Sequence, residues 1–182
     1  LGLLDELPQT TETLTEALDI RMALGPVLIA MKGAPSPEVE QLYLRALELV
    51  EQLDASVHRF PALWGLWYVN YTRGSYPVAR EQGERLLVTA RKGDDTGQLL
   101  EAHHSLWPTL VAMGRPLEAV SHMERGLALY DRERHGTHAF LYAGHDPGAC
   151  CQFHLGMTRW LLGYPDSGLR HVQDADRLAA EL

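Results

Sequence analysis

The residue types best suited to chemistry are concentrated between positions 145 and 154. Cys150 lies four residues before His154 and Cys151 lies three before it, so on a helix a thiolate and an imidazole would share one face. His145 and Asp146 stand just upstream and could complete a set of four metal ligands. The sequence lacks a CxxC or HxxxH motif, however, and helices often use cysteine as a small core residue. We therefore expect two reduced core thiols, no metal site and no cofactor.

No other group of residues offers a recognisable catalytic arrangement. His103 and His104 are adjacent, so on a helix they would face different sides, and we expect no metal site there either. Ser105 and Ser121 lie near histidines, but in helical stretches and without a G-x-S-x-G turn. The phosphate-binding pattern G-x-x-x-x-G-K-[ST] is also missing from the sequence. We therefore expect that the chain is not an enzyme and has no catalytic residues.

Composition and charge narrow the classes of partner. The 182 residues are 46% hydrophobic and 22% charged, as in an ordinary folded domain. The net charge is -8 and no cluster of Lys and Arg occurs, so we expect no nucleic-acid binding. No apolar run reaches the roughly 18 residues of a membrane helix. The chain begins with Leu, and we expect it to be a cytoplasmic fragment of a longer protein.

Apolar residues recur with the helical period of 3.6 residues, and Gly- and Pro-containing turns separate the stripes. This pattern predicts an all-α chain. The eight predicted helices span residues 11–32, 37–53, 60–73, 76–92, 97–113, 116–131, 147–162 and 165–182.

An internal repeat organises these helices into hairpins. At an offset of 40 residues Trp67 aligns with Trp107 and Gly74 with Gly114, and at a further 49 Gly114 aligns with Gly163. A small residue follows each of these glycines by five positions: Ala79, Ala119 and Gly168. Such a glycine allows the turn between antiparallel helices, and the small residue allows their backbones to approach. We predict one domain over residues 1–182, a right-handed superhelical solenoid of hairpins at about 11–53, 60–92, 97–131 and 147–182.

The repeats resemble tetratricopeptide repeats, in which a large residue, Leu-Gly and an aromatic residue precede a turn Gly and an Ala. Gln152, Leu155, Gly156 and Gly163 match this pattern in the fourth unit. The second unit departs from it, because Trp67 replaces the first Gly and the period is 40 residues instead of about 34.

A second resemblance extends over almost the whole chain. It rests on segments 23–26 (Ala-Leu-Gly-Pro), 31–33 (Met-Lys-Gly), 61–67 (Pro-Ala-Leu-Trp-Gly-Leu-Trp), 100–104 (Leu-Glu-Ala-His-His) and 161–166 (Leu-Leu-Gly-Tyr-Pro-Asp). These segments are similar to a bacterial family in which helical repeats follow a signal-transduction ATPase module, often with a class III adenylate or guanylate cyclase ahead of it. The resemblance implies a non-catalytic regulatory or sensor arm, with the ATPase or cyclase module as a candidate intramolecular partner.

In tetratricopeptide arrays the first helix of each hairpin lines a concave groove. Counting back ten, six and three positions from the turn glycines predicts a partner-binding groove with these members: Trp64, Tyr68, Tyr71, His104, Phe153, Met157 and Trp160. Such side chains suit a peptide or an amphipathic helix of a partner protein. We expect the groove residues to be partly exposed, while Trp67 and Trp107 are buried. Two alternatives stay open: the aromatic residues pack between hairpins, or they form a pocket for a small effector.

The third and fourth units are separated by nine extra residues in a His-rich segment, residues 131–146. Insertions in repeat arrays form loops on one face and are often used for binding. We interpret this inserted segment as a solvated linker, with a binding loop as the alternative.

Overall fold

The computed structural model describes residues 9–93, 95–142 and 144–181, and in these ranges the only regular structure is helical. The prediction of an all-α chain with about eight helices is confirmed, and two single-turn helices are added within the inserted segment. The helices are α1 (Thr11–Lys32), α2 (Pro37–Leu53), α3 (Ser56–Thr72), α4 (Tyr76–Gly93), α5 (Thr96–Ala112), α6 (Pro116–Leu129), α7 (Arg132–His135), α8 (His138–Leu141), α9 (Pro147–Leu161) and α10 (Pro165–Ala180).

Most helix ends lie within two residues of their predicted positions, because local signals define them. The side chains of Ser36, Asp95 and Asp146 accept hydrogen bonds from backbone N–H groups in the first turns of α2, α5 and α9, as N-caps do. The start of α3 was predicted four residues too late. Asp54 adopts the left-handed conformation directly after α2, so α3 begins at Ser56. The end predicted for α10, residue 182, lies outside the described residues.

The turn glycines have the role that the repeat predicts. Gly74, Gly114 and Gly163 have φ values of 78°, 71° and 89°, which side chains with a Cβ rarely adopt. The small residues five positions later are buried. In the fourth unit a Cβ on Gly168 would lie only 2.7 Å from the carbonyl oxygen of Gly156. The small residue therefore allows α9 and α10 to pack backbone against backbone.

Each long helix packs against the next one, and α6 packs against α9 across the inserted segment. The first helices of the last three hairpins also lie side by side, since α3 contacts α5 and α5 contacts α9. Consecutive hairpins that contact mainly their neighbours are the arrangement of a helical solenoid. Within the described ranges, no helix combines the length and the apolar character needed to cross a membrane.

The core joins these helices through large side chains and close approaches. Trp67 and Trp107 are fully buried, as predicted, and the Trp67 indole donates a hydrogen bond of 3.1 Å to the Thr109 hydroxyl. Nearer the N-terminus, the Tyr43 side chain of α2 lies between Gly25 of α1 and Gly65 of α3. A Cβ at either glycine would come within 2.3 Å of Tyr43. The close packing of α1 and α3 against this side chain therefore requires glycine at both positions.

Candidate functional site

The side chains of the first half of the predicted groove are buried or half-buried. Trp64 is 2% exposed and His104 is 3% exposed, so the expectation that these two side chains are partly exposed is wrong. Tyr68 and Tyr71 are half-buried, and the Tyr71 ring stacks on Trp67 with centroids 5.5 Å apart.

The inserted segment, residues 131–146, covers this half of the groove. The Tyr142 ring packs 5.0 Å from the Trp64 ring and 6.4 Å from Phe60. His138 Nδ1 donates to a carboxylate oxygen of Glu101 at 2.8 Å. The segment is partly buried, and among its described residues His135, Tyr142 and Asp146 are buried. The interpretation as a solvated linker is therefore wrong, because the segment packs against α3 and α5 of its own chain.

The other half of the groove remains open. Phe153 is 49% exposed, Met157 45% and Trp160 61%, as the sequence predicted for them. Met157 and Trp160 of α9 line one apolar pocket of about 500 Å³ together with Pro165, Leu169 and Val172 of α10. We call these five residues the terminal face, because they lie on the last hairpin of the described chain.

In the third unit, a helix covers the surface that corresponds to the terminal face. With the 49-residue offset, Met157, Leu169 and Val172 correspond to Pro108, Val120 and Met123 of the third unit. Those three residues are buried, and α9 lies against their hairpin. The Cys151 thiol donates to the Met123 carbonyl at 3.2 Å, and Arg159 pairs with Glu124 at 2.6 Å. A helix thus occupies in the third unit the position that no helix of the described residues occupies in the fourth.

A second candidate site lies beneath the inserted segment, where side chains from three elements converge. His104 Nε2 of α5 is 3.5 Å from Cys150 Sγ of α9 and 3.2 Å from His145 Nε2 of the inserted segment. On its other side, His104 Nδ1 donates to Glu101 at 2.9 Å. Glu101 is fully buried, and its second oxygen accepts the bond from His138. We call His104, His145 and Cys150 the His–Cys cluster.

Charges within this cluster change the protonation of its members. Burial alone would raise the pKa of the Cys150 thiol, but His104, together with hydrogen bonds from His145 and His154, outweighs it and holds that pKa well below its usual value. Burial alone would lower the pKa of His104, yet the Cys150 thiolate and Glu101 raise it to about 10. The pKa of Glu101 stays below its usual value, because His104 and His138 together offset its burial. These pKa shifts favour the charged forms of the three groups, which are in direct contact.

The sequence pointed to only part of this cluster. It singled out five candidate ligands, of which only two belong to the His–Cys cluster: Cys150 and His145, but not Cys151, Asp146 or His154. The Asp146 carboxylate accepts from the Ala149 N–H at 2.8 Å and from a tyrosine hydroxyl at 3.0 Å. His154 Nδ1 donates to the Cys150 carbonyl at 2.9 Å. The central member, His104, was assigned to the groove, because its 46-residue separation from Cys150 leaves no local spacing signal.

Cys151, the other thiol, lies outside the cluster. It is fully buried and bonds to the Met123 carbonyl. Burial, and then the Cys150 thiolate beside it, raise its pKa. The prediction of a small core thiol is confirmed for Cys151, whereas Cys150 is half-buried and polar in its contacts.

Comparison with known proteins adds one relative. No family model matches the chain. It is 30% identical over 163 residues to an uncharacterized protein of Rhizobium meliloti, an alignment that includes 86% of this chain and 16% of that protein. The chain therefore spans about a sixth of the relative's length. It is similar to one segment of a much longer protein.

Proposed function

We propose that this chain is a non-catalytic protein-interaction scaffold whose terminal face binds an amphipathic helix of a partner protein. One observation carries the proposal: the terminal face exposes apolar side chains at positions where the preceding unit is covered by α9. Trp160 and Leu169 are 61% and 59% exposed. Contiguous exposed apolar side chains of this kind are typical of interaction sites.

The repeat geometry favours a helix as the occupant. In the third unit the covering element is the helix α9, which presents an apolar stripe and one flanking ion pair, Arg159 with Glu124. The pocket of about 500 Å³ between α9 and α10 can receive a large apolar side chain of such a helix. Trp160 is the anchor, since a buried interface tryptophan can contribute about 2 kcal/mol or more.

This proposal keeps part of the predicted groove and replaces the rest. Phe153, Met157 and Trp160 remain candidate binding residues, whereas Trp64 and His104 act as core that supports the inserted segment. In the wider context implied by the sequence resemblance, the chain is a cytoplasmic regulatory or sensor arm of a bacterial signalling protein. The partner helix then belongs either to another protein or to another part of the parent chain, such as an ATPase or cyclase module.

A labelled peptide tests the proposal directly. The peptide reproduces residues 147–162, the helix that covers the third unit, with Cys150→Ser and Cys151→Ala to prevent oxidation. Fluorescence anisotropy should show saturable binding to the chain, and Leu169→Asp should weaken it at least tenfold. Leu117→Asp is the matched control, because Leu117 is also exposed on a second helix of a hairpin but lies outside the terminal face.

Two results would count against the proposal. The peptide could fail to bind, or both aspartate variants could bind it equally well. Light scattering should meanwhile find a monomer. A dimer that Leu169→Asp dissociates would instead identify the occupant as a second copy of the chain.

A smaller pocket supports a second candidate function, the sensing of a small effector. This pocket of about 290 Å³ is lined mainly by apolar and aromatic side chains, among them Tyr43, Trp64 and Tyr142. Its size is near the lower limit of ligand sites. Small aromatic compounds that bind there should raise the melting temperature, and Ala23→Leu, which enlarges a side chain of the pocket wall, should abolish the effect.

A further inference from the structure

We propose that the His–Cys cluster is a zinc site with His104 Nε2, His145 Nε2 and Cys150 Sγ as its protein ligands. The proposal replaces the expectation, drawn from the sequence alone, that no metal binds. Zinc binding does not depend on helix binding at the terminal face, so either proposal can be refuted without the other.

Two of the three distances among the ligand atoms match those that a zinc ion imposes. Tetrahedral zinc, with Zn–N of about 2.05 Å and Zn–S of about 2.3 Å, places two nitrogens about 3.3 Å apart and a nitrogen about 3.6 Å from a sulfur. His104 Nε2 is 3.2 Å from His145 Nε2 and 3.5 Å from Cys150 Sγ. All three atoms lie within 4.8 Å of one another. One ion can therefore contact all three without a large movement of the backbone.

The surrounding groups orient the ligands for a metal. Glu101 accepts the Nδ1 proton of His104 at 2.9 Å, so Nε2 faces Cys150 and His145 and can ligate zinc once the ion displaces its proton. A carboxylate behind a ligating imidazole is a common feature of zinc sites and fixes the ring's orientation. Glu101 is itself fixed by His138 at 2.8 Å and is fully buried, so this support is rigid.

The fourth ligand does not come from His154 or Asp146. His154 Nδ1 lies 3.4 Å from the Cys150 sulfur but donates its proton to the Cys150 carbonyl. The Asp146 carboxylate caps α9. A pocket of about 420 Å³ adjoins the cluster, and His145 and Cys150 form part of its lining. The pocket supplies room for a water molecule as fourth ligand, the arrangement of zinc sites with three protein ligands.

Zinc at this position would connect parts of the chain that are distant in sequence. His104 belongs to α5, His145 to the inserted segment and Cys150 to the first turn of α9. Because binding free energy at such a site adds to the free energy of folding, the ion would hold the inserted segment over the groove. Zinc binding would thereby keep Trp64 covered.

The test uses the full chain, purified without an affinity tag, stripped with a chelator and then given ZnCl₂ or CoCl₂ alone. After desalting, elemental analysis should find one equivalent of zinc. Cobalt should give a near-ultraviolet charge-transfer band from a thiolate ligand. Cys150→Ser and His145→Asn should abolish both signals, and Glu101→Gln should weaken zinc binding roughly 10–100-fold. Cys151→Ser is the matched control and should bind zinc like the unchanged chain.

His145 is half-buried on the inserted segment, so His145→Asn should retain the helical circular dichroism spectrum and keep the test valid if Cys150→Ser misfolds. Zinc should also protect Cys150 from iodoacetamide. Substoichiometric zinc, equal binding by all variants, or alkylation of Cys150 at the same rate with and without zinc would overturn the proposal. The last result would indicate a reactive thiol paired with His104 instead of a metal ligand.

Discussion

Replacing Trp64 and Trp160 separately by alanine tests whether the inserted segment covers Trp64 and leaves Trp160 exposed. Trp64 is 2% exposed and packs against Trp67 and Tyr142 with ring centroids 4.9 and 5.0 Å apart. Trp64→Ala should therefore cost the full amount for a core tryptophan, about 3–5 kcal/mol. Trp160 is 61% exposed, so only about two fifths of its surface is in contact, and Trp160→Ala should cost about 1–2 kcal/mol.

For a chain of this length each kcal/mol lowers the melting temperature by about 2–4 °C. Thermal unfolding followed by circular dichroism should then show a decrease of about 6–20 °C for Trp64→Ala and about 2–8 °C for Trp160→Ala. Trp67→Ala serves as the reference for a buried tryptophan. If Trp64→Ala resembled Trp160→Ala instead of Trp67→Ala, Trp64 would face solvent, and the placement of the inserted segment would be wrong.

A milder substitution, Trp64→Phe, distinguishes the contribution of ring packing to stability from that of the indole N–H. Among the described residues, Trp64 Nε1 has no hydrogen-bond partner although it is buried. Trp64→Phe removes this unpaired donor together with part of the ring. It should therefore cost much less than Trp64→Ala, because the free energy lost in packing is partly offset by the removal of an unsatisfied group.

Three further substitutions and one control test the packing that supports the site. In urea unfolding, Gly65→Ala should destabilise the chain by about 1–3 kcal/mol, since the new Cβ would come within 2.3 Å of Tyr43. Gly93→Ala is its control and should be neutral or stabilising, because a Cβ there would meet no atom within 4 Å. Thr109→Val should cost about 1–3 kcal/mol, because it leaves a buried indole N–H unpaired. Tyr142→Ala should shift tryptophan fluorescence to longer wavelength, as water reaches the ring that it covers; an unchanged spectrum would mean that the inserted segment does not shield the groove.

The helices and their turns were predictable because the signals that define them are local. Glycines at positive φ, N-cap residues and proline in first turns lie next to the ends that they specify. The burial of Trp67 and Trp107 was predictable as well, since the internal repeat aligns the two residues. The exception, the early start of α3, depends on the conformation of Asp54, which no repeat signal marks.

The course of the inserted segment could not be predicted, because it interrupts the repeat and its contacts are long-range. Nothing in the spacing of Tyr142 indicates that it packs on Trp64. His145 meets His104 across 41 residues of sequence, and Cys150 meets it across 46. The one local hint was the pair Glu101 and His104, three residues apart on α5. A buried carboxylate beside a histidine on one helix face could have suggested a polar cluster there.

Hydrogen exchange with and without the residue 147–162 peptide tests most directly whether the terminal face is the binding surface. Backbone amides that a bound helix covers or stabilises exchange more slowly. We expect slower exchange confined to the C-terminal half of α9 and to α10, around Trp160 and Leu169. The inserted segment and α3 should exchange at unchanged rates. Protection in α3 and the inserted segment, with none around Trp160, would place binding in the central groove and contradict the proposal.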